Sequence, residues 1–544
     1  MNVARAVGET VVALGVDHVF GVVGSGNFHV TNAMTSRGAH FVAARHEGGA
    51  ATMADAFART ADSVAAVTVH QGCGLTNAMT GITEAAKSRT PLLVLAAEVS
   101  EPRSNFYVDQ AALARAVGAV PMRVTSGDRA VAEATEAVRV ARHQRRTVLL
   151  NLPLHVQAES APALPVPVIP DPPAARRPDP SGLASLAEAL ERSQRPVFVA
   201  GRGARGARAP LEEVAERFGA LLATSAVARG LFVGNPWSLD VSGGFASPLA
   251  AELIGAADLI VGWGCALNMW TMRHGRLIAE GATVVQVDDT PEALGMHRDI
   301  QLGVVGDVRA TAEGLLDLAG PAATGVRYRT DELRDRIARE VRWRDVVHED
   351  ASGGGRIDPR TLSIALDDLL PTERVVAVDS GNFMGYPSMY LSVPDEHGFC
   401  FTQAFQSIGL GLATAIGAAL AQPDRLPVAA LGDGGALMAA AELDTVRRLG
   451  LPMVVVIYDD AAYGAEVHHF GPDGHPLDTV TFPETDIAAI GQGYGFEAVT
   501  VCSTDDLSPV AAWLAGPRSA PLLIDAKVTR DRGSWWLEEA FRGH

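Results

Sequence analysis

The sequence predicts an α/β protein made of three doubly wound domains with parallel sheets. Three observations carry this expectation. Strand-like apolar runs alternate with helical ones through most of the chain, the pattern of repeated β-α-β units. At 544 residues the chain is too long for a single hydrophobic core. Two breaks in the alternation then leave segments of similar size, near 1–157, 183–345 and 357–544, each suited to one such domain.

The first break, Gln157 to Gly182, is dense in proline (APALPVPVIPDPPAARRPDPSG). Proline cannot donate a backbone hydrogen bond, so the stretch reads as an extended linker. The second, Ala351-Ser-Gly-Gly-Gly-Arg-Ile-Asp-Pro359, reads as a flexible hinge before a new helix. Composition excludes several classes of function. Hydrophobic residues make up 48% and charged residues 20%, as in soluble globular proteins. A net charge of −18 repels nucleic-acid phosphate and anionic lipid, so neither is an expected partner. A small anionic substrate remains compatible, because the field in a cleft can oppose the global sign. No basic head followed by an apolar run opens the chain, and no stretch approaches the roughly 18 apolar residues that span a bilayer. Cys73, Cys265, Cys400 and Cys502 lie far apart, which suggests reduced thiols of a cytoplasmic protein and no zinc site.

In the middle segment, Val197 to Ala200 is strand-like and runs into Gly201-x-Gly203-x-x-Gly206, the spacing of a dinucleotide-binding turn. No acidic residue stands about 20 positions later to hold a ribose hydroxyl. The turn therefore reads as structural, with a nicotinamide- or flavin-dependent oxidoreductase as the competing reading. No convincing FAD motif is present.

The third segment carries the most specific signal. Val428 to Gly432 is a buried strand ending in Gly432-Asp433-Gly434, a helix is expected from Gly435 to Leu449, and a second strand, Met453 to Tyr458, ends in Asp459-Asp460. The 24 residues from 435 through 458 suit one β-α-β excursion, which returns the chain to the same sheet edge. Asp433 and Asp460 are thereby expected side by side at the carboxyl ends of neighbouring parallel strands, where such sheets bind ligands. Magnesium takes hard oxygen ligands, commonly one or two carboxylates with phosphate. The glycines would let the backbone approach a diphosphate, and the helix start offers free N–H groups.

This stretch resembles the thiamin-diphosphate enzyme superfamily, whose signature is Gly-Asp-Gly followed about two dozen residues later by Asn-Asn. The resemblance implies Mg²⁺ held by Asp433, Asp460 and the backbone carbonyl of Ala462. It also implies cofactor contacts from Gly432, Gly434, Gly435 and Ala436, with Gly381 and Asn382 in the same set. The chain departs from the signature in having Asp459-Asp460, which leaves the role of Asp459 undefined. In the first segment, Arg45-His46-Glu47-Gly-Gly-Ala is close to a motif of acetohydroxyacid (acetolactate) synthase and its relatives. There the glutamate bonds the cofactor's pyrimidine ring and promotes deprotonation of its thiazolium. By position this is Glu47, among apolar neighbours that suggest a buried carboxylate. Read without the resemblance, Glu47 is an acid at a helix start, and the absence of a second histidine at Ala50 rules out a zinc-protease helix. Ile408, 25 residues before Asp433, takes the place of the apolar wedge that bends the cofactor. The three segments become, in order, pyrimidine-binding, central Rossmann-like and diphosphate-binding domains. The family builds its sites between subunits, so a homodimer or homotetramer is implied.

Within the family two reactions compete. Ser25, His70 and Glu466 match acid–base positions of non-oxidative decarboxylases resembling benzoylformate and pyruvate decarboxylases. Gln110 matches an active-site glutamine of the acetolactate-synthase-like carboligases, His70-Gln71 resembles carboxyethylarginine synthase, and Arg273 is a candidate grip on a second substrate. His468 and His469 are candidates for the substrate entrance. Both reactions begin with loss of carbon dioxide from a 2-oxo acid; they differ in whether a second carbonyl or a proton captures the product. RHEGGAA and TNAMTGITEAAKSRTPLLVLA favour carboligation. A non-catalytic cofactor-binding protein is the remaining reading, and an intact Glu47 weighs against it.

Overall fold

The structure, a computed structural model, describes residues 1–162, 165, 168–170, 174–318 and 327–540. Residues 163–164, 166–167 and 171–173 of the proline-rich stretch lie outside the described residues, as do 319–326 and 541–544. Among the described residues, three six-stranded sheets form, and every strand pair within them is parallel. The first sheet holds β1 (His18–Gly21), β2 (His40–Ala43), β3 (Ala65–Val69), β4 (Leu92–Glu98), β5 (Val120–Arg123) and β6 (Thr147–Pro153). The second holds β7 (Pro196–Ala200), β8 (Leu221–Thr224), β9 (Ser238–Val241), β10 (Leu259–Trp263), β11 (Thr283–Asp288) and β12 (Leu302–Val305). The third holds β13 (Arg374–Val378), β14 (Phe399–Phe401), β15 (Leu426–Gly432), β16 (Val454–Asp459), β17 (Glu497–Val501) and β18 (Leu522–Lys527).

The first and third sheets share one strand order, β2-β1-β3-β4-β6-β5 and β14-β13-β15-β16-β18-β17. The middle sheet runs β12-β11-β10-β7-β8-β9, the order of dinucleotide-binding folds. Helices cover both faces, so central strands such as β3, β7 and β13 are buried along their whole length. No helix of the described residues is long and apolar enough to cross a membrane.

The first and third sheets share a core. Helix Glu47–Ala61 lies against helix Gly411–Ala421, and small residues let the backbones close together: a Cβ at Gly417 would stand 2.2 Å from the Met53 carbonyl oxygen. Arg59 and its partners reinforce the seam. Its guanidinium pairs with buried Asp55 and Glu84 and donates to the Phe401 carbonyl, while Glu84 accepts the N–H groups of Ala404 and Phe405. The 351–359 segment is tied down rather than a loose hinge. Buried Asp358 accepts the Ala351 N–H and caps helix Pro359–Leu369, and Arg356 donates to the carbonyls of Asp459 and Val528.

The dinucleotide-like turn is filled by protein. The N–H groups of Gly201 and Gly203 donate to the carbonyls of Trp263 and Gly264, and a Cβ at Gly201 would stand 2.2 Å from the Gly264 oxygen. These glycines permit contact between two backbones.

Candidate active site

Strand register places the acids together. Gly432 pairs with Tyr458, so Asp433 and Asp460 leave adjacent strands β15 and β16 at one edge, and their carboxyl groups stand within hydrogen-bond reach. Asp433 opens a short helix, Asp433–Met438, and is 7% exposed. Burial pushes its carboxyl up, and the charges of Asp460 and Asp459 push it further. Asp460 is raised by burial and by Asp459, against an opposing N–H bond from Ala462. One buried and one half-buried acid that repel each other are a donor set a divalent cation would relieve, with the Ala462 carbonyl as a third oxygen. Among the described residues no cluster of three His, Cys, Asp or Glu side chains forms a metal site, so the set depends on that backbone oxygen. Asp459 points elsewhere: Oδ1 accepts the Ala461 N–H at 2.9 Å and Oδ2 pairs with Lys527 at 2.5 Å.

The expected helix 435–449 resolves into Asp433–Met438, a 3-10 turn at Ala440–Glu442 and helix Leu443–Arg448, with the break at Ala439 (φ −100°, ψ 7°). The glycines after Asp433 also make room for the protein's own side chains. A Cβ at Gly434 would stand 2.6 Å from the Tyr463 ring, and one at Gly435 would stand 2.2 Å from Asp379. The protein's own groups fill that space. Asp379, which sequence reading missed, is fully buried at the end of β13. It accepts N–H bonds from Ser380 (2.8 Å), Gly409 (2.9 Å) and Leu410 (3.2 Å), fixing the loop that carries Ile408. Only the strand-end position of an acid in VVAVDSGN could have signalled it. Ile408 is 37% exposed, beside Gly409 in the left-handed region (φ +84°). Gly381 also requires positive φ (+133°). Asn382 is buried; its side-chain oxygen accepts the Ser534 N–H at 2.8 Å, which anchors the C-terminal segment. A cavity of about 300 Å³ opens beside Asp433, Gly434, Leu437, Met438, Tyr463 and Phe482.

The first-domain candidates stand at the carboxyl edge of the first sheet, after β1, β2, β3 and β4. His46 caps helix Glu47–Ala61 by accepting the Gly48 N–H, so Glu47 is its first residue. Glu47 is half-buried rather than enclosed, and its Oε2 accepts from Asn77 at 3.0 Å. Glu442, also missed, accepts the N–H groups of Arg45 and His46 at 3.0 Å each and the Thr445 hydroxyl at 2.6 Å. It therefore fixes the approach to Glu47 from the element that begins at Asp433. Ser25 is exposed on the loop after β1. The Gly26 N–H of the same loop donates to His70 Nδ1 at 3.3 Å, so a neutral His70 carries its proton on Nε2. Gln71 is buried against Gly26, its Oε1 without a hydrogen-bond partner.

Gln110 is buried with both ends engaged: it donates to Asn151 at 2.7 Å and accepts the Gly72 N–H at 3.3 Å. It braces the loop behind His70. Arg273 is likewise buried, donating to the carbonyls of Gly243 and Ala246 and stacking over Trp535. Glu466 is exposed on helix Gly464–Phe470. Two residues on, His468 is half-buried beside Gly533, and burial lowers its pKa.

Comparison with known proteins gives concordant matches. Three family models align in succession: "Thiamine pyrophosphate enzyme, N-terminal TPP binding domain" over residues 1–143, its central domain over 183–315, and its C-terminal TPP binding domain over 379–526. A sulfoacetaldehyde acetyltransferase of Rhodobacter capsulatus is 27% identical, over 97% of this chain and 94% of its own length. A probable 2-ketoarginine decarboxylase of Pseudomonas aeruginosa is 28% identical, over 88% and 86%. The acetolactate synthase large subunit of Parasynechococcus marenigrum is 26% identical, over 95% and 86%.

Proposed function

We propose, for a chain that belongs to the thiamine pyrophosphate enzymes, that it removes carbon dioxide from a 2-oxo acid and joins the remaining acyl unit to a second carbonyl, with thiamin diphosphate and Mg²⁺ as cofactors. The observation that carries the proposal is the pairing of Asp433 with Asp460 at the ligand-binding edge of the third sheet. Asp433, Asp460 and the Ala462 carbonyl would hold the cation that receives the diphosphate. Gly381, Asn382 and the start of helix Asp433–Met438, through Gly434, Gly435 and Ala436, form the surrounding backbone.

Bound thiamin diphosphate supplies a carbon nucleophile that adds to a carbonyl and accepts the electron pair left as carbon dioxide departs. The chain's residues do the rest. Glu47 Oε2 is engaged by Asn77, so Oε1 is the atom that would exchange a proton with the pyrimidine ring, beside Gly74, whose lack of a side chain leaves it room. Ile408, 37% exposed on the loop fastened by Asp379, would be the apolar side chain that supports the bound cofactor. His70 Nε2 and the Ser25 hydroxyl donate to the substrate, and Gln110 holds the Gly72 turn that aims His70. A second copy of the chain would complete the site. Ile408, Leu437, Met438 and Phe482 around the third sheet's edge, and Val23, Phe28 and Phe106 around the first, are all apolar and open in a single chain.

Names such as acetolactate synthase and acetyltransferase among the relatives support transfer to an acceptor. The relative named as a decarboxylase, together with the proton-bearing His70 beside Ser25, supports the second reading, in which a proton replaces carbon dioxide and an aldehyde leaves. In that reading Glu466 joins His70 as a proton carrier. The test is product analysis with a panel of 2-oxo acids and sulfoacetaldehyde, at saturating cofactor, alongside E47Q. Cofactor-dependent carbon dioxide release with a hydroxyketone-type product, lost in E47Q, is expected. Aldehyde in step with carbon dioxide would select the second reading. Turnover of sulfoacetaldehyde without carbon dioxide release would replace both.

A further inference from the structure

Asp459 is where this chain departs from the Asn-Asn signature, and its surroundings differ from those of a metal ligand. It ends β16 directly opposite Lys527 on β18, and Asp525 lies two residues before Lys527 on the same strand face. The ammonium of Lys527 meets Asp459 Oδ2 at 2.5 Å, Asp525 Oδ2 at 3.0 Å and the Thr485 carbonyl at 3.0 Å, so its three donors have three acceptors. Asp459 and Asp525 are almost wholly buried, with 2% and 0% side-chain exposure. The other oxygen of Asp459 accepts the Ala461 N–H, which holds Ala461 in the left-handed turn (φ 50°) leading to the Ala462 carbonyl. Both Asp459 oxygens are therefore committed away from Asp433 and Asp460. An asparagine there could keep the Ala461 bond, but its NH₂ group would face an ammonium. Asp459 and Lys527 are thus matched to each other.

We propose that Lys527 is a positioning residue of the cofactor site: it turns Asp459 away from the cation and cancels its charge, so that only Asp433 and Asp460 serve the metal and a diphosphate can still approach. The proposal rests on the thiamin-diphosphate reading of this edge. Without Lys527, the acids at 433, 459, 460 and 525 would crowd one strand edge with a surplus negative charge. That surplus attracts a cation and repels a diphosphate, so the two affinities should move in opposite directions. Structural damage at the same place would weaken both.

The experiment uses the full chain, stripped of metal. Mn²⁺ binding alone is read by electron paramagnetic resonance, and thiamin diphosphate binding at saturating Mn²⁺ by calorimetry. For K527M, Mn²⁺ should bind about tenfold more tightly and thiamin diphosphate about tenfold more weakly, the size of one unit charge acting on a doubly charged ligand roughly 12 Å away at an effective dielectric constant of about 40. D459N, which removes the opposite charge, should shift both affinities the other way, and it carries the test if K527M does not fold. The K527M/D459N double variant should return both to within about threefold of wild type, through the coupling expected of paired groups. Parallel weakening of both ligands in K527M, or a double variant no nearer wild type than either single one, would overturn the role of Lys527. Failure of the wild-type chain to bind either ligand would overturn the cofactor reading itself and the proposal with it.

Discussion

Asp379 offers a substitution whose effects on stability and on cofactor binding separate. Burial raises its carboxyl from an ordinary value of 3.8 to about 6, despite the N–H bonds it accepts at the start of helix Gly411–Ala421. A carboxyl raised on folding adds stability that is fully present below pH 3.8 and is lost as pH climbs through 6. At about 1.4 kcal/mol for each pH unit, the loss between those limits is about 3 kcal/mol. D379N abolishes this titration. It also turns an NH₂ group toward N–H donors, leaving at least one buried donor unpaired at about 1–3 kcal/mol. At neutral pH the two effects nearly cancel, and the urea midpoint of the apoprotein should move little. At pH 4 the variant should be less stable than wild type by about 1–3 kcal/mol, the unpaired-donor cost alone. Thiamin diphosphate should bind at least about tenfold more weakly at either pH, because the Ile408 loop has lost a fastening worth about 1.4 kcal/mol or more. Urea unfolding at pH 4 and pH 7, with cofactor titration at each, measures all of this. A stability difference between the two proteins that stays constant across the range would refute the burial argument. Unchanged cofactor affinity would refute the role given to the loop.

Three further outcomes follow from the same seam between the first and third sheets. E442A should lose about 2–4 kcal/mol by leaving the Arg45 and His46 N–H groups unpaired. It should also lower kcat through Glu47, whereas E442Q, which keeps the accepting oxygen, should retain most of both. R59M strands Asp55 and Glu84 in the core and should cost about 3–5 kcal/mol in chemical denaturation. G417A forces a methyl group toward the Met53 carbonyl and should lower the thermal midpoint by an amount corresponding to about 1–3 kcal/mol, with no change in the pH profile of any residual activity.

The alternation of strand and helix made the architecture legible, and the spacing from Asp433 to Asp460 made it legible that the two acids leave neighbouring strands at one sheet edge, because both are periodic or local signals. Braces that act across the chain left no such signal. Glu442 stands in an alanine-rich helical run, and nothing nearby shows that its partners are backbone groups almost 400 residues earlier. Asp379 has the same difficulty, since its acceptor role depends on a loop 30 residues on. Gln110 and Arg273 show the converse. Each is a residue type that often binds substrates, yet each is fully engaged with neighbours inside its own fold. Sequence supplies the chemical type of a side chain; whether its hydrogen-bonding capacity is free is decided by tertiary packing.

The middle and third sheets show why the shared architecture does not settle which edge binds a ligand. Both are parallel sheets with glycine-rich turns at the carboxyl ends of their strands, where ligands bind in open α/β folds. In the middle sheet the turn after β7 closes on its neighbour. The donors of Gly201 and Gly203 meet the carbonyls of Trp263 and Gly264, and Leu267 fills the space over Gly262. The backbone donors of that turn are taken up by protein, and a phosphate would have to displace those bonds to reach them. In the third sheet the glycines are just as tightly packed, against Tyr463 and Asp379, but the same edge buries Asp433 and half-buries Asp460, with carboxyls raised by their surroundings. Energy is stored there in desolvation and like-charge repulsion, and a divalent cation would release it. The edge proposed to bind the cation is the one that remains electrostatically unsatisfied after folding, and glycine content alone does not distinguish it.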